Sequence, residues 1–235
     1  MPDITEFAIL KDYLNSEGLV DYESLHENPW LHSQIQRIEQ TDLSALSEKE
    51  KFAFWLNAYN LLVLKSACQE VGKNPNWRGN TSFWKRFKFF YLRKHLVANR
   101  RISLHHLENK ILREEFRDPR IHFAINCASK SCPVLPGKLF EESTLEKHLE
   151  ELTASFVNNE SHVRLDKKNG ILWLNEIFKM YTNDFDSVGG VKSFINRYLK
   201  SPPEQSIFNQ STIKYMEYDW SLNSQSLFLK IAIHP

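Results

Sequence analysis

His122, Asn126, Cys127 and Cys132 place an imidazole, an amide and two thiols within eleven residues. Thiol catalysis needs a sulfur nucleophile, a base to take its proton and a polar group to orient that base. Cys132 is the preferred nucleophile, because a thiol in a small polar loop before Pro133 is more reachable than Cys127 on the packed face of a strand. His122 is the base, and Glu108, Asn126, Asn57 and Asn60 are candidates for the orienting group. Backbone amides after the loop can hold an oxyanion. Such a site acts on an amide or thioester, in a small molecule or a peptide, by hydrolysis or acyl transfer.

The same residues admit other readings. A Cys127–Cys132 disulfide, stabilising or redox-active, can close across four intervening residues, although this is not the Cys-x-x-Cys redox arrangement. Zinc held by Cys127, Cys132 and His122 lacks a second ligand pair nearby, whereas structural zinc takes four ligands and catalytic zinc three plus water. No metal and no cofactor is therefore expected. A different class altogether is a non-enzymatic binding or scaffold module recognising a protein or an anionic partner. Its surface would be the stretch from Phe83 to Ser103, where Lys85, Arg86, Lys88, Arg93, Lys94, Arg100 and Arg101 interleave with aromatics and no acid intervenes. That composition can be an electrostatic footprint or a solvated hairpin face.

The elements that must position these groups follow from periodicity. Asp118-Pro119 reads as a turn, and Arg120 to Cys127 as a short buried strand with His122, Ala124 and Asn126 on one face. Residues 47–71 give the strongest helix signal: Ser47 and Glu50 form a capping-box pair, Phe52, Trp55, Leu56, Tyr59, Leu62 and Val63 recur at three and four, and Gly72 stands as the stop. Leu61 and Leu64 make this helix apolar on more than one side, hence central. Asn57 and Asn60 on it must find partners, since an unpaired buried polar group costs roughly 1–3 kcal/mol. Residues 104–115 form a helix capped by Ser103, and Glu108 lies inside its apolar stripe and so points inward. Helices are also expected over 4–14, from Pro29 to Ile38, from Ser143 or Thr144 to Phe156, over 177–186, and over 191–199 before Pro202-Pro203. Strands are expected at Phe89–Leu92, Leu96–Val97 and Arg101–Ser103, as a hairpin over 163–174, and over 213–222.

At 235 residues the chain reads as a single domain, 1–235, of the α+β class: a mainly helical body built on residues 47–71 with a small antiparallel sheet. The 42% hydrophobic content suffices for a sizeable core, and a net charge of +1 makes nucleic acid an improbable partner. Three cysteines cannot build a disulfide framework. No apolar run is long enough to span a bilayer. Without a charged leader and apolar stretch at Met1-Pro2-Asp3-Ile4, a cytoplasmic location is the simple expectation; a chain trimmed of an export signal would read the same way.

Taken together the landmarks resemble the domain of unknown function 547 family. The resemblance rests on Phe54-Trp55-Leu56-Asn57-Ala58-Tyr59-Asn60, Leu107-Glu108 with Ile111-Leu112-Arg113, and Asp118-Pro119-Arg120-Ile121-His122-Phe123-Ala124-Ile125-Asn126-Cys127 with Lys130-Ser131-Cys132-Pro133. It continues through Ile177-Phe178-Lys179-Met180-Tyr181 with Asp184-Phe185, then Tyr215 and Tyr218 to Asn223, so that a core of about 18–223 is implied. Met180 departs from the Trp that the family pattern leads one to expect. The family implies no settled activity. In residue type the candidate site is similar to papain-like hydrolases, but here the His precedes the Cys, which would require a rearranged connectivity.

Overall fold

The structure is a computed structural model that describes residues 9–201 and 205–226. Its elements run α1 (Ile9–Asp12), α2 (Tyr22–His26), α3 (Pro29–Gln40), α4 (Glu48–Lys73) and α5 (Phe83–Arg86), which widens into a π-helical turn at Phe87–Leu92. Next come β1 (Lys94–Val97), β2 (Arg100–Ser103), α6 (Leu104–His106) with a π-helical continuation at Leu107–Phe116, α7 (Ile121–Ala124) and α8 (Leu145–Val157). The chain closes with β3 (Val163–Asp166), β4 (Ile171–Asn175), α9 (Ile177–Met180), a 3-10 stretch at Thr182–Val188, α10 (Gly190–Tyr198), α11 (Gln205–Gln210) and β5 (Thr212–Met216). This is the mainly helical α+β architecture that the periodicity predicts. The first half of the helix expected over 4–14, and the Pro202-Pro203 stop, lie outside the described residues.

Helix α4 is the axis of the first core. Ser47 and Glu50 close a reciprocal capping box, and buried residues run the length of the helix from Phe52 to Val71. The helix ends at Lys73 with Asn74 as its cap, so Gly72 is not the stop. Its missing Cβ makes room instead: a Cβ there would stand 2.9 Å from the His26 ring. Asn57 satisfies both amide atoms on the Phe140 backbone, at 2.8 Å each.

A second core gathers Phe123, Phe156, Phe178, Phe185 and Phe194 under β4 and α10. The segment α7 joins the two cores. Ile121 and Ala124 pack in the first and Phe123 in the second, where its ring stacks on Phe194 with centroids 5.6 Å apart.

Two expectations are corrected here. Arg120 to Cys127 is not a strand but one helical turn followed by extended chain. Asp118 starts that turn by accepting the Arg120 N–H at 2.9 Å. Asn60 ends it, donating to the Ala124 carbonyl and accepting the Asn126 N–H, each at 2.9 Å. Phe89–Leu92 likewise is helical, despite the strand propensity of its aromatics. Ser82 caps the preceding turn, and burying Phe89 against Trp77 while aligning Phe83, Phe87 and Tyr91 along one side favours the helical period.

The strands form two small sheets: the β1–β2 hairpin and a three-stranded sheet ordered β3-β4-β5. β1 with β2 and β3 with β4 pair antiparallel, as expected of the hairpins. β5 joins β4 in parallel, its partner Leu172 facing Ile213, which is possible because α9 and α10 supply the crossover.

Candidate functional site

A cleft of about 560 Å³ opens between the two cores. His122, Cys127, Cys132 and Glu108 all line it, together with Tyr59, Arg113, Tyr181 and Tyr218. Four of the seven candidate residues thus converge. Asn57, Asn60 and Asn126 do not line the cleft. They brace the backbone that shapes it: Asn126 donates to the Pro133 carbonyl at 2.6 Å and accepts the Ala128 N–H at 2.7 Å. Through Asn60 and Asn126, helix α4 dictates the path of the cysteine loop.

That loop turns at Ala128, whose φ of 60° lies in the left-handed region. The chain after β5 pins its far side, with the Lys130 and Ser131 N–H groups donating to the Ser221 and Asp219 carbonyls at 2.9 and 3.2 Å. The Cys132 N–H donates to the Ser129 carbonyl at 3.1 Å, so these loop amides are already engaged.

Cys127 and Cys132 are joined in a disulfide, with Cα atoms 6.1 Å apart. The relative exposure expected of the two sulfurs is reversed. Cys132 is 9% exposed and buried, whereas Cys127 is half-buried. The Cys132 sulfur accepts the Cys127 N–H at 2.9 Å and the Tyr218 hydroxyl at 3.2 Å. The same hydroxyl lies 3.2 Å from the Cys127 sulfur. Burial raises the Tyr218 pKa, which keeps that proton in place.

The imidazole is oriented by Asp184, not by Glu108 or an asparagine. His122 Nε2 lies 2.7 Å from Asp184 Oδ2, and Arg113 grips the same carboxylate at both oxygens, Nε at 2.6 Å and Nη2 at 2.7 Å. Burial by itself would raise the Asp184 pKa, but the hydrogen bonds and charges of Arg113 and His122 outweigh it and hold the carboxyl well below the usual range. An ionised Asp184 can only accept, so Nε2 is the nitrogen that donates to it and Nδ1 is the ring position left over. Nδ1 is buried with no hydrogen-bond partner among the described residues. Tyr181 stacks on the imidazole at 3.8 Å, and the Arg113 guanidinium lies 4.9 Å from the other ring system in the stack, that of Tyr181.

Glu108 points inward as its place in the stripe predicts, and it accepts hydroxyls from Tyr59 at 3.0 Å and from Tyr181. Burial comes first among the causes that raise both tyrosine pKa values, with the Glu108 charge next, so both remain donors. Sequence reasoning missed Asp184, Tyr181 and Tyr218 as parts of the site. Their signal was present in the resemblance, which included Tyr181, Asp184 and Tyr218 among its landmarks, but nothing local to those residues points at residue 122.

Residues 43–157 match the family model described as Protein of unknown function, DUF547. This segment is a DUF547 domain. It carries Tyr59, Glu108, His122 and both cleft cysteines, while Tyr181, Asp184 and Tyr218 come from the chain beyond the matched residues. The cleft is therefore completed by residues on both sides of the end of the DUF547 match. No curated protein and no solved structure matches the chain. Among the described residues, no group of three or more His, Cys, Asp or Glu is placed to hold a metal ion, and no helix is long and apolar enough to cross a membrane.

Proposed function

We propose that the cleft is a thiol active site for acyl chemistry, a hydrolase or transferase acting on an amide or thioester, with its disulfide as the resting form. The observation that carries this reading is the convergence of an Asp-oriented imidazole, free at Nδ1, and two cysteine sulfurs on one open cavity.

Activation needs a two-electron reductant, such as a dithiol. Its thiolate attacks the half-buried Cys127 sulfur, the S–S bond breaks and Cys132 leaves as a thiolate. The Cys127 N–H and the Tyr218 hydroxyl stabilise that leaving sulfur. The second reductant thiol then displaces Cys127, so two electrons pass from dithiol to disulfide. In a reducing compartment such as the cytoplasm the pair is kept as thiols, and in an oxidising one as the disulfide.

In the reduced site, His122 Nδ1 takes the Cys132 proton and the sulfur attacks the substrate carbonyl carbon. With the amides of Lys130, Ser131 and Cys132 engaged elsewhere, the Cys127 N–H and the Tyr218 hydroxyl, at 2.9 and 3.2 Å from the sulfur, are the donors beside it for the developing oxyanion. The imidazolium returns its proton to the departing amine or thiol. Water, or an acceptor nucleophile in transfer, deprotonated by the same ring, then releases the acyl group. Asp184 holds the ring in its tautomer and Glu108 with its two tyrosines lines the cleft as a polar wall.

The test is turnover of p-nitrophenyl esters and aminoacyl p-nitroanilides with and without a phosphine reductant. Wild type should turn over only when reduced, Cys127→Ser in either condition and Cys132→Ser in neither. Alkylation of Cys132 in the Cys127→Ser protein should titrate well below the free-cysteine value of about 8.5. Equal turnover by Cys132→Ser and wild type would overturn the proposal, as would an unshifted alkylation profile together with no turnover.

A further inference from the structure

The mouth of the cleft carries a second feature that the chemistry above does not use. Among the described residues, large exposed apolar side chains concentrate on one ridge: Phe83 is 64% exposed, Trp84 67% and Leu92 56%, with Tyr91 also exposed. The rings form a continuous ladder, Trp84 to Phe83 at 5.4 Å, Phe83 to Phe87 at 6.2 Å and Phe87 to Tyr91 at 5.4 Å. Phe83, Phe87 and Tyr91 also line the cleft, so the ridge is one lip of its opening.

An exposed apolar patch of this kind marks a contact surface, and its charge says with what. Lys85 and Lys88 are exposed within the same turns, Lys94 follows, and none of the three makes an ion pair among the described residues. No Asp or Glu occurs from Ser82 to Leu107. Elsewhere acids outnumber bases, since the chain totals only +1 with seven of its cations in this one stretch. Trp and Tyr prefer the zone where acyl chains meet headgroups, and lysines reach past them to anionic phosphates while laying their stems on the apolar surface.

We infer that the Phe83–Leu92 ridge docks the protein on an anionic lipid bilayer, with the cleft opening at the membrane surface. Trp84, Phe83 and Leu92 enter the interfacial zone, and Lys85, Lys88 and Lys94 pair with headgroup phosphates. This inference stands apart from the thiol reading, because it requires no reaction in the cleft.

Vesicle flotation tests it on the full chain, comparing phosphatidylcholine alone with vesicles containing about one-third phosphatidylserine. Binding should appear with the anionic vesicles and fall as salt is raised. Lys85→Gln and Lys88→Gln should each weaken it roughly fivefold. Trp84→Ser should abolish the quenching of protein fluorescence by brominated lipid. All three positions are exposed, and circular dichroism confirms that each variant is folded. Cys132→Ser should float as wild type does, so turnover equal to wild type in this variant, with flotation retained, sinks only the thiol reading. The docking inference is overturned by no flotation with either vesicle, or by flotation that the lysine and Trp84 variants leave unchanged. It is also overturned by a dimer in sedimentation that Trp84→Ser dissociates, or by ridge-dependent binding of an acidic peptide in place of vesicles.

Discussion

Replacing Asp184 with Asn asks whether one carboxylate both orients the imidazole and holds the two halves of the cleft together. Asp184 accepts three short hydrogen bonds from two cationic or polarised donors, at 2.6, 2.7 and 2.7 Å, across elements far apart in sequence. Removing one partner of a fully buried pair costs about 3–5 kcal/mol. The Asp184 side chain keeps 23% of its surface, so the lower end applies, about 2–3 kcal/mol near neutral pH. With a urea m-value of about 2–3 kcal/mol per molar, the midpoint should fall by about 1 M. The sign of the pH dependence follows from the lowered carboxyl pKa. The folded state holds the proton more weakly than the unfolded chain, so the Asp184 contribution is complete above the ordinary aspartate range and is lost as pH falls through the depressed folded value. Urea titrations of wild type and Asp184→Asn should therefore show a gap at pH 7 that narrows in acid. The reasoning is refuted if the two proteins unfold together at pH 7, or if the gap is as wide at the acid end. Nitrogen chemical shifts of His122 provide a second readout: the variant should lose the preference for a protonated Nε2.

The remaining expectations are briefer. Phe123→Ala empties the centre of the second core and should cost about 3–5 kcal/mol, measured by denaturant unfolding. Asn60→Ala strands the Ala124 carbonyl and the Asn126 N–H; about 2–3 kcal/mol of destabilisation should come with faster hydrogen exchange in the cysteine loop. Gly79→Ala should destabilise by about 2–4 kcal/mol, because φ is +89° and a Cβ would stand 2.6 Å from the Leu222 nitrogen in the segment that pins the cysteine loop; calorimetry reads this directly. His95 and His162 are pushed down to about 4 by burial, so the unfolded chain takes their protons first and stability should decline as pH falls from about 6.5 to 4. His162→Gln should flatten part of that decline in pH-dependent urea midpoints.

Much of this molecule is determined by local sequence. The capping box at Ser47 and Glu50, the all-round apolar character of α4, the β1–β2 and β3–β4 hairpins and the inward Glu108 are consequences of residues within a few positions of one another, where periodicity and turn chemistry act directly. The nearness of His122, Asn126, Cys127 and Cys132 in sequence likewise sufficed to place them in one neighbourhood. Tertiary structure decided what periodicity leaves degenerate. An apolar run from Arg120 to Cys127 satisfies strand and helix equally, and Asn60, more than sixty residues away, makes it a helical turn by taking the hydrogen bonds at its end. Tertiary structure also chose the partner of the imidazole. Glu108 and Asp184 are both acids near aromatics in sequence, and only the packing of the two cores shows that tyrosines claim the first while Arg113 and His122 claim the second. Pairings that cross between elements depend on which faces meet, and that geometry is a property of the whole chain closed on itself.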